Sequence, residues 1–167
     1  MKRILLTGIS AVGKSVVIEE LARRGYYAVD LDCDDFSHWA ALTDELTTAA
    51  GTPVEAERDW VWREDRVAAL LADEKADALF VSGCAPNMGK FRPQFDHIIL
   101  LSAPAEVTVE RLQTRTNNPY GKLEEERERV LDLKESVEPL LRQSAKHEIV
   151  TDIPLEAVVE EVLRRVK

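Results

Sequence analysis

Apolar residues along the chain fall into short continuous runs that are separated by longer stretches with helical spacing. Runs at 2–7, 26–31, 78–82, 97–102 and 147–151 predict five strands. The runs at 78–82 and 97–102 are nearly continuous in apolar residues, as in parallel strands that are buried on both faces.

The stretches between these strands predict helices. One helix start is well marked: Thr52 could cap the helix, Pro53 suits its first position and Glu55 its third. The helix that follows would carry Trp60 toward the core. The other predicted helices cover 14–24, 104–114, 123–144 and 154–166. Strands that alternate with helices predict an α/β fold of three layers, a parallel sheet with helices on both faces, in a single domain over residues 1–167.

A glycine-rich motif joins the first strand to the first helix. It fits the pattern G-x-x-x-x-G-K-[ST] and consists of Gly8, Ile9, Ser10, Ala11, Val12, Gly13, Lys14 and Ser15. Glycines let such a loop wrap around a phosphate, with successive amide N–H groups and the positive helix end pointing at it. Lys14 would reach the β- and γ-phosphates of a nucleotide, and Ser15 would bind Mg²⁺.

An acidic turn follows the second strand. Asp30 and Asp32 are two residues apart and share one face of an extended chain. At the carboxyl end of a parallel strand, either could hold Mg²⁺, and Asp32 could orient or deprotonate an acceptor hydroxyl. The alternative is a solvated loop that caps the next element, and we favour it for Asp34 and Asp35.

Composition and charge exclude several classes of protein. The 167 residues are 45% hydrophobic and 32% charged, with a net charge of −9. That sign argues against broad binding to nucleic-acid phosphates, which requires clustered cations. No apolar run reaches the roughly 20 residues of a membrane span, and the first apolar run is too short for a signal peptide. Two cysteines form no disulfide framework, so we expect a cytoplasmic protein without nucleic-acid or membrane partners.

Several segments together resemble the small P-loop kinases of the nucleoside-monophosphate-kinase group, which includes shikimate kinases and adenylate kinases. These segments are the phosphate loop, the acidic turn, the stretch 100–106 and then Arg111 and Arg115. The resemblance implies the P-loop NTPase fold, with five parallel strands in the order 2-3-1-4-5. It also implies ATP and Mg²⁺ as cofactors and a short mobile lid at about 114–122.

The resemblance also assigns roles to residues near the lid. Arg111 and Arg115 are four apart and share a helix face, so both could neutralise charge on the transferring phosphoryl group. The alternative for both is surface ion pairing, for example with Glu110. The loop at 151–154 occupies the place of the family's adenine pocket, which makes Asp152 a candidate nucleotide-binding residue.

The sequence departs from the family at three points. No aspartate stands at the end of the third strand, 80–84, so metal binding would fall to Ser15, Asp30 or Asp32. The Gly-Gly substrate loop of shikimate kinases and the Asp-Gly-x-Pro-Arg segment of adenylate kinases are both absent. Neither shikimate nor AMP is therefore the expected acceptor.

An insertion at about 34–75, predicted to be helical, would form the acceptor side. It holds Trp39, Trp60 and Trp62, which are all the tryptophans of the chain, and Arg63. With Asp32, we take Trp60 and Arg63 as candidate acceptor-binding residues, since an aromatic ring beside an arginine clamps a planar or anionic ligand. Ordinary packing of a helical subdomain is the alternative.

Two hypotheses follow for the function. The first is a kinase, monomeric or homodimeric, that phosphorylates a nucleoside, nucleotide, sugar acid or antibiotic hydroxyl. The second is a nucleotide-dependent regulatory NTPase that acts through a protein partner.

Overall fold

The computed structural model describes residues 1–41 and 58–167. The described residues form seven strands: β1 (Lys2–Thr7), β2 (Tyr27–Asp30), β3 (Ser37–Ala41), β4 (Arg58–Trp62), β5 (Ala78–Ser82), β6 (His97–Ser102) and β7 (His147–Val150). Their helices are α1 (Lys14–Arg23), α2 (Glu64–Ala72), α3 (Ala105–Thr114), α4 (Glu124–Ser136), α5 (Glu138–Ser144) and α6 (Leu155–Arg165), with a 3-10 helix at Met88–Gln94.

The main sheet is parallel and has the order β2-β5-β1-β6-β7. Counted along the five predicted strands, this is the order 2-3-1-4-5, so the predicted fold is confirmed. The register sets Leu6 of β1 beside Ser82 of β5 and Ile99 of β6. The carboxyl ends of these strands therefore meet at one edge, where open α/β sheets bind ligands.

Two apolar cores lie on opposite faces of the sheet. Because side chains of a strand alternate between faces, Ile4 and Leu6 of β1 join one core and Leu5 joins the other. The first core takes in Val17 of α1 and other residues from α1, α3, α4 and α6. The second takes in Val67 of α2 and other residues from α2, the 3-10 helix and α5. This is the predicted three-layer arrangement.

The insertion differs from its prediction. Strands β3 and β4 form an antiparallel ribbon in which Trp39 pairs with Trp60, and α2 begins only at Glu64. The predicted helix start at Thr52 lies outside the described residues. Placing Trp60 in a helix is wrong, because 58–62 alternates with aromatic residues, which favour strands, and has a partner strand to bond to.

The predicted helix at 123–144 is two helices. Val137 separates α4 from α5 with φ −100° and ψ −42°. Pro139 stands in the first turn of α5, where its missing N–H leaves no bond unmade, whereas inside one long helix it would remove a bond. Of the helices among the described residues, none is both long and apolar enough to cross a membrane.

Two histidines, at the first positions of β6 and β7, predict how the stability of the protein depends on pH. The rings of His97 and His147 stack with centroids 6.2 Å apart, and His97 Nδ1 is buried without a hydrogen-bond partner in the described part of the chain. Burial lowers the pKa of His97; Lys146, His147 and Lys2 lower it further, while Asp96 opposes them.

A folded-state pKa below the unfolded value means that the unfolded chain takes up the proton more readily. The stabilising contribution of neutral His97 is therefore complete above the unfolded pKa of about 6.5 and is lost as the pH falls below it. We expect the free energy of unfolding in urea to decrease from pH 7.5 to 5.5, and to decrease less in His97→Gln. Equal decreases in the two proteins would contradict this assignment.

Candidate active site

A cleft of about 760 Å³ opens at the carboxyl ends of the strands. It is lined by the phosphate loop, by Asp30 and Asp32 of the acidic turn, and by Asp59 and Trp60 of β4. Further lining residues come from α3, α4, the segment that joins them and the residues after β7. Most of the predicted site residues therefore belong to a single cavity, although they are far apart in the sequence.

The phosphate loop turns sharply between β1 and α1. Ala11 and Gly13 have φ of +62° and +96°, in the left-handed region. Lys14 curls back, and its Nζ donates to the carbonyl oxygens of Gly8 at 2.6 Å and Ile9 at 2.7 Å. Burial lowers the pKa of Lys14, while Cys84, Asp32 and Asp30 oppose that effect. Phosphate oxygens would give this ammonium stronger acceptors than two carbonyls, since both partners are then charged.

Gly8 has no room for a side chain. An added Cβ would lie 2.4 Å from the carbonyl oxygen of Leu101 and 2.7 Å from Cγ2 of Val12. We expect Gly8→Ala to shift the phosphate loop, to weaken ATP binding at least tenfold and to lower the unfolding free energy by roughly 2–3 kcal/mol, as overpacking does.

Gly25→Ala provides a matched control for Gly8→Ala. Gly25 has φ +89° but nothing within 4 Å of an added Cβ. The substitution there brings only the left-handed backbone strain, roughly 1–2 kcal/mol, and ATP affinity stays unchanged. Calorimetric titration with ATP·Mg²⁺ checks both variants, and equal affinities would contradict the steric argument.

The acidic turn is bonded to the phosphate loop. Ser15 Oγ donates to Asp30 Oδ2 at 2.7 Å, and Asp30 Oδ1 accepts from Ser82 Oγ at 3.1 Å. Oδ1 also accepts from the backbone N of Asp32 at 3.0 Å. Ser82 ends β5, and its hydroxyl holds Asp30 in place. The two oxygens predicted to meet a metal ion, Ser15 Oγ and Asp30 Oδ2, are thus side by side.

Asp32 and Trp60 lie at the other end of the acidic turn. Trp60 Nε1 donates to Asp32 Oδ1 at 2.7 Å, and both residues line the cleft. The Trp39 ring packs edge-on against Trp60, with centroids 5.4 Å apart. The β3–β4 ribbon therefore places the aromatic residue Trp60 at the predicted acceptor side of the cleft. Trp62, on the same strand, is buried and packs against Phe91.

Arg111 of α3 and Arg115, the residue that follows α3, both line the cleft. The prediction that they share a helix face is wrong, because the helix ends at Thr114 and Arg115 is extended, with ψ 145°. Arg111 donates to Ala11 O at 3.3 Å and to Thr151 Oγ1 at 2.9 Å and O at 2.6 Å. It thereby links the phosphate loop to the residues after β7. Arg115 Nη2 donates to Tyr120 O at 2.6 Å, and its buried Nε has no partner in the described part of the chain. Burial lowers the pKa of Arg115, opposed by Tyr120 and Asp32.

Two predicted site residues stand apart from the others. Arg63 Nε donates to the carbonyl oxygen of Asp34 at 3.0 Å, and Arg63 does not line the cleft. Asp152 is exposed and also does not line it, whereas its neighbours Thr151 and Ile153 do. In this structure the acceptor role of Arg63 and the nucleotide role of Asp152 have no direct support.

Sequence reasoning missed three groups of the cleft: Asp59 of β4, Tyr120 beside Arg115, and Arg129 of α4. Asp59 is 5% exposed; its Oδ1 accepts from the Trp60 backbone N at 2.7 Å, and Oδ2 has no partner in the described part of the chain. Burial raises its pKa, while Trp60 and Arg129 oppose that effect. The alternating pattern at 58–62, taken as a strand, was the signal that would have added Asp59 to the predicted acceptor side.

Comparisons with known proteins agree on the type of fold. Residues 4–132, more than three quarters of the chain, match the family described as AAA domain. No curated protein sequence matches the chain.

Among solved structures, a shikimate kinase from Acinetobacter baumannii, in complex with shikimate, is similar with TM-score 0.63 at 20% identity. The alignment covers 99% of this chain and 93% of that one. A shikimate kinase from Bacteroides thetaiotaomicron is similar with TM-score 0.61 at 18% identity, covering 99% and 98%. A sugar kinase from a Janibacter species follows with TM-score 0.57 at 19% identity, covering 99% and 94%. At these identities the likeness establishes the fold.

Proposed function

Because the chain belongs to the AAA domain family of P-loop proteins, we propose that it is a small-molecule kinase. It would move the γ-phosphoryl group of ATP to a hydroxyl of a small acceptor. The two shikimate kinases and the sugar kinase that share its fold support this class of reaction.

One observation carries the proposal: a single cleft is lined both by phosphate-loop residues and by side chains from other parts of the chain. Lys14, Ser15 and Arg111 would form its phosphate end, and Asp32, Asp59 and Trp60, which also line it, would form its acceptor end. A nucleotide switch requires only the first of these. A second compartment, built from a different part of the chain and joined to the first, is what a transferase needs to hold two reactants together.

At the phosphate end, the chain supplies positive charge and backbone donors. Lys14 would leave the two loop carbonyls and bind the β- and γ-phosphates, while the loop N–H groups bind the remaining oxygens. Arg111 and Arg115 would stabilise the charge on the phosphoryl group during transfer. Ile153 and Leu155 give the cleft an apolar lining beyond the phosphate loop, where a purine base would pack.

The residues present fit Mg²⁺ carried by a nucleotide. Ser15 Oγ and Asp30 Oδ2 are both oxygens, the ligand type that Mg²⁺ prefers, and they are 2.7 Å apart. The described residues contain no cluster of three or more His, Cys, Asp or Glu side chains that would hold a metal ion. We therefore assign Ser15 and Asp30 as the protein's contacts for Mg²⁺, which would neutralise phosphate charge when bound.

The transfer step would begin at the acceptor hydroxyl. Asp32 orients that hydroxyl and takes its proton as the oxygen bonds to the γ-phosphorus and the bond to ADP breaks. The bond from Trp60 Nε1 occupies Asp32 Oδ1, so Oδ2 would be the oxygen that meets the acceptor. The products are ADP, the phosphorylated acceptor and one proton.

Acceptor-stimulated consumption of ATP tests the proposal. The purified protein is incubated with ATP·Mg²⁺ and, in turn, the members of a library of hydroxyl compounds, and ADP release is recorded for each. The proposal expects at least one acceptor to raise the rate well above the basal rate and to yield a phosphorylated product. If no acceptor does so, and a protein partner changes nucleotide turnover instead, the regulatory NTPase is the better account.

A further inference from the structure

We propose that Asp59 is a second anchor for the acceptor, and that the acceptor is a neutral or aminated polyol rather than a carboxylic acid. This inference rests on the proposed kinase function, and it narrows the acceptor class. It depends on one carboxylate oxygen and on the charges around it.

The Oδ2 atom of Asp59 is an unused hydrogen-bonding group in the cleft wall. Oδ1 already accepts from the Trp60 backbone N, whereas Oδ2 has no partner in residues 1–41 and 58–167 and the side chain is only 5% exposed. Buried carboxylate oxygens are normally hydrogen-bonded, since an unmade bond costs about 1–3 kcal/mol. A hydroxyl or ammonium group of a ligand in the cleft would supply the missing bond.

Asp59 and Asp32 both line the cleft. Both carboxylates act electrostatically on the Cys84 thiol, which also lines the cleft. Trp60 follows Asp59 in β4, and its ring nitrogen donates to Asp32. Two carboxylates and an aromatic ring in the lining of one cleft suit a ligand with several O–H or N–H donors on an apolar ring.

The same charges disfavour an acidic acceptor. Two carboxylates that line one cleft repel a third. The arginine predicted to bind an anionic acceptor, Arg63, does not line the cleft and donates to the backbone carbonyl of Asp34. Arg129 does line the cleft, but its charge already acts on Asp59 and Tyr120. Arg115 is turned to the carbonyl of Tyr120.

Steady-state kinetics with matched acceptors tests the inference. Glucose, glucosamine and glucuronate share one ring and differ in one group, and they head a library sorted into neutral, aminated and carboxylate-bearing compounds. We expect the productive acceptors to be neutral or aminated. With a productive acceptor, Asp59→Asn should raise the acceptor KM roughly tenfold or more, the loss of a bond to a charged group, with the ATP KM unchanged.

Asp77→Asn is the matched control, because Asp77 is exposed at the opposite end of the sheet. It should leave both KM values unchanged. Preference for a carboxylate-bearing acceptor, or an unchanged acceptor KM in Asp59→Asn, would overturn the inference while leaving the kinase function intact.

The thermal stability of the free protein decides the role of Asp59 without any acceptor. In Asp59→Asn the amide oxygen would still accept from the Trp60 backbone N, but the variant would no longer bury an ionisable oxygen. If Oδ2 is kept for a ligand, the Tm of Asp59→Asn at pH 7.5 equals or exceeds that of the wild type. A Tm lowered by more than about 5 °C, well beyond a typical surface substitution, would show a structural role and overturn the inference. If no compound of the kinetic library is phosphorylated, that result counts against the proposed kinase function and not against the role of Asp59.

Discussion

Replacing Lys14 with alanine is expected to lower kcat/KM for phosphoryl transfer by about three orders of magnitude or more, roughly 4 kcal/mol of transition-state stabilisation. The reason is that the half-buried side chain of Lys14 lines the cleft, where its ammonium would interact with phosphate in a medium that screens charge less than water does. Its two present partners are loop carbonyls, so the free protein loses little when the side chain is removed.

Thermal shift separates loss of binding from loss of folding in Lys14→Ala. ATP·Mg²⁺ at about 100 times its Kd would stabilise the wild type by roughly 2.7 kcal/mol, which raises Tm by about 5–10 °C for a chain of this size. We expect this shift to vanish in Lys14→Ala while Tm without ligand changes by a few degrees at most. Lys75→Ala, at a side chain 74% exposed, should keep both the shift and the activity. An equal shift in wild type and Lys14→Ala would contradict the phosphate-loop assignment.

Replacing Asp32 with asparagine is expected to lower kcat by roughly 10²- to 10⁴-fold, the usual contribution of a positioned acid or base. Asparagine keeps an oxygen that accepts from Trp60 Nε1, so the cleft wall should stay in place. It removes the carboxylate that orients the acceptor hydroxyl and takes its proton. Binding of ATP·Mg²⁺, measured by thermal shift, should therefore remain.

Asp34→Asn is the control for Asp32→Asn. Asp34 belongs to the same acidic turn, but its side chain does not line the cleft, and only its backbone oxygen holds Arg63. We expect its kcat to equal that of the wild type. A loss of activity of the same size in both variants would mean that the turn as a whole, rather than Asp32, is what the reaction requires.

The main sheet could be predicted from the sequence because its signals are local. A continuous apolar run such as 97–102 is typical of a parallel strand that is buried on both faces. The motif around Lys14 marks where the first strand ends. The strand order itself came from the family resemblance and was confirmed by the pairing of β2 with β5 and of β1 with β6.

The acceptor side could not be predicted to the same extent. A strong helix signal at Thr52 outweighed the alternating pattern at 58–62, and pairing with the distant residues 37–41 decided the outcome. The spacing of apolar residues and the helix or strand propensity of single residues do not reveal such long-range pairing. For the same reason Asp59 was missed, and Arg63 was placed at the acceptor although its side chain bonds to Asp34 O.

The phosphate end shows the opposite case. Ser15, Asp30 and Arg111 were assigned from a motif and a resemblance, and the structure brings all three to one cleft. What the sequence did not show is the support behind them. The hydroxyl of Ser82 holds Asp30, and Thr151 holds Arg111, because the strands that end in Ser82 and just before Thr151 come together only in the folded sheet.

Transfer of labelled phosphate tests the central claim most directly. The protein is incubated with ATP labelled with ³²P at the γ-phosphate, Mg²⁺ and a small-molecule extract, and labelled products are separated from ATP and orthophosphate. The kinase account predicts that label passes to a new small molecule in the wild type, and that Lys14→Ala abolishes the transfer. Label released only as orthophosphate, at the same rate with and without the extract, would contradict it.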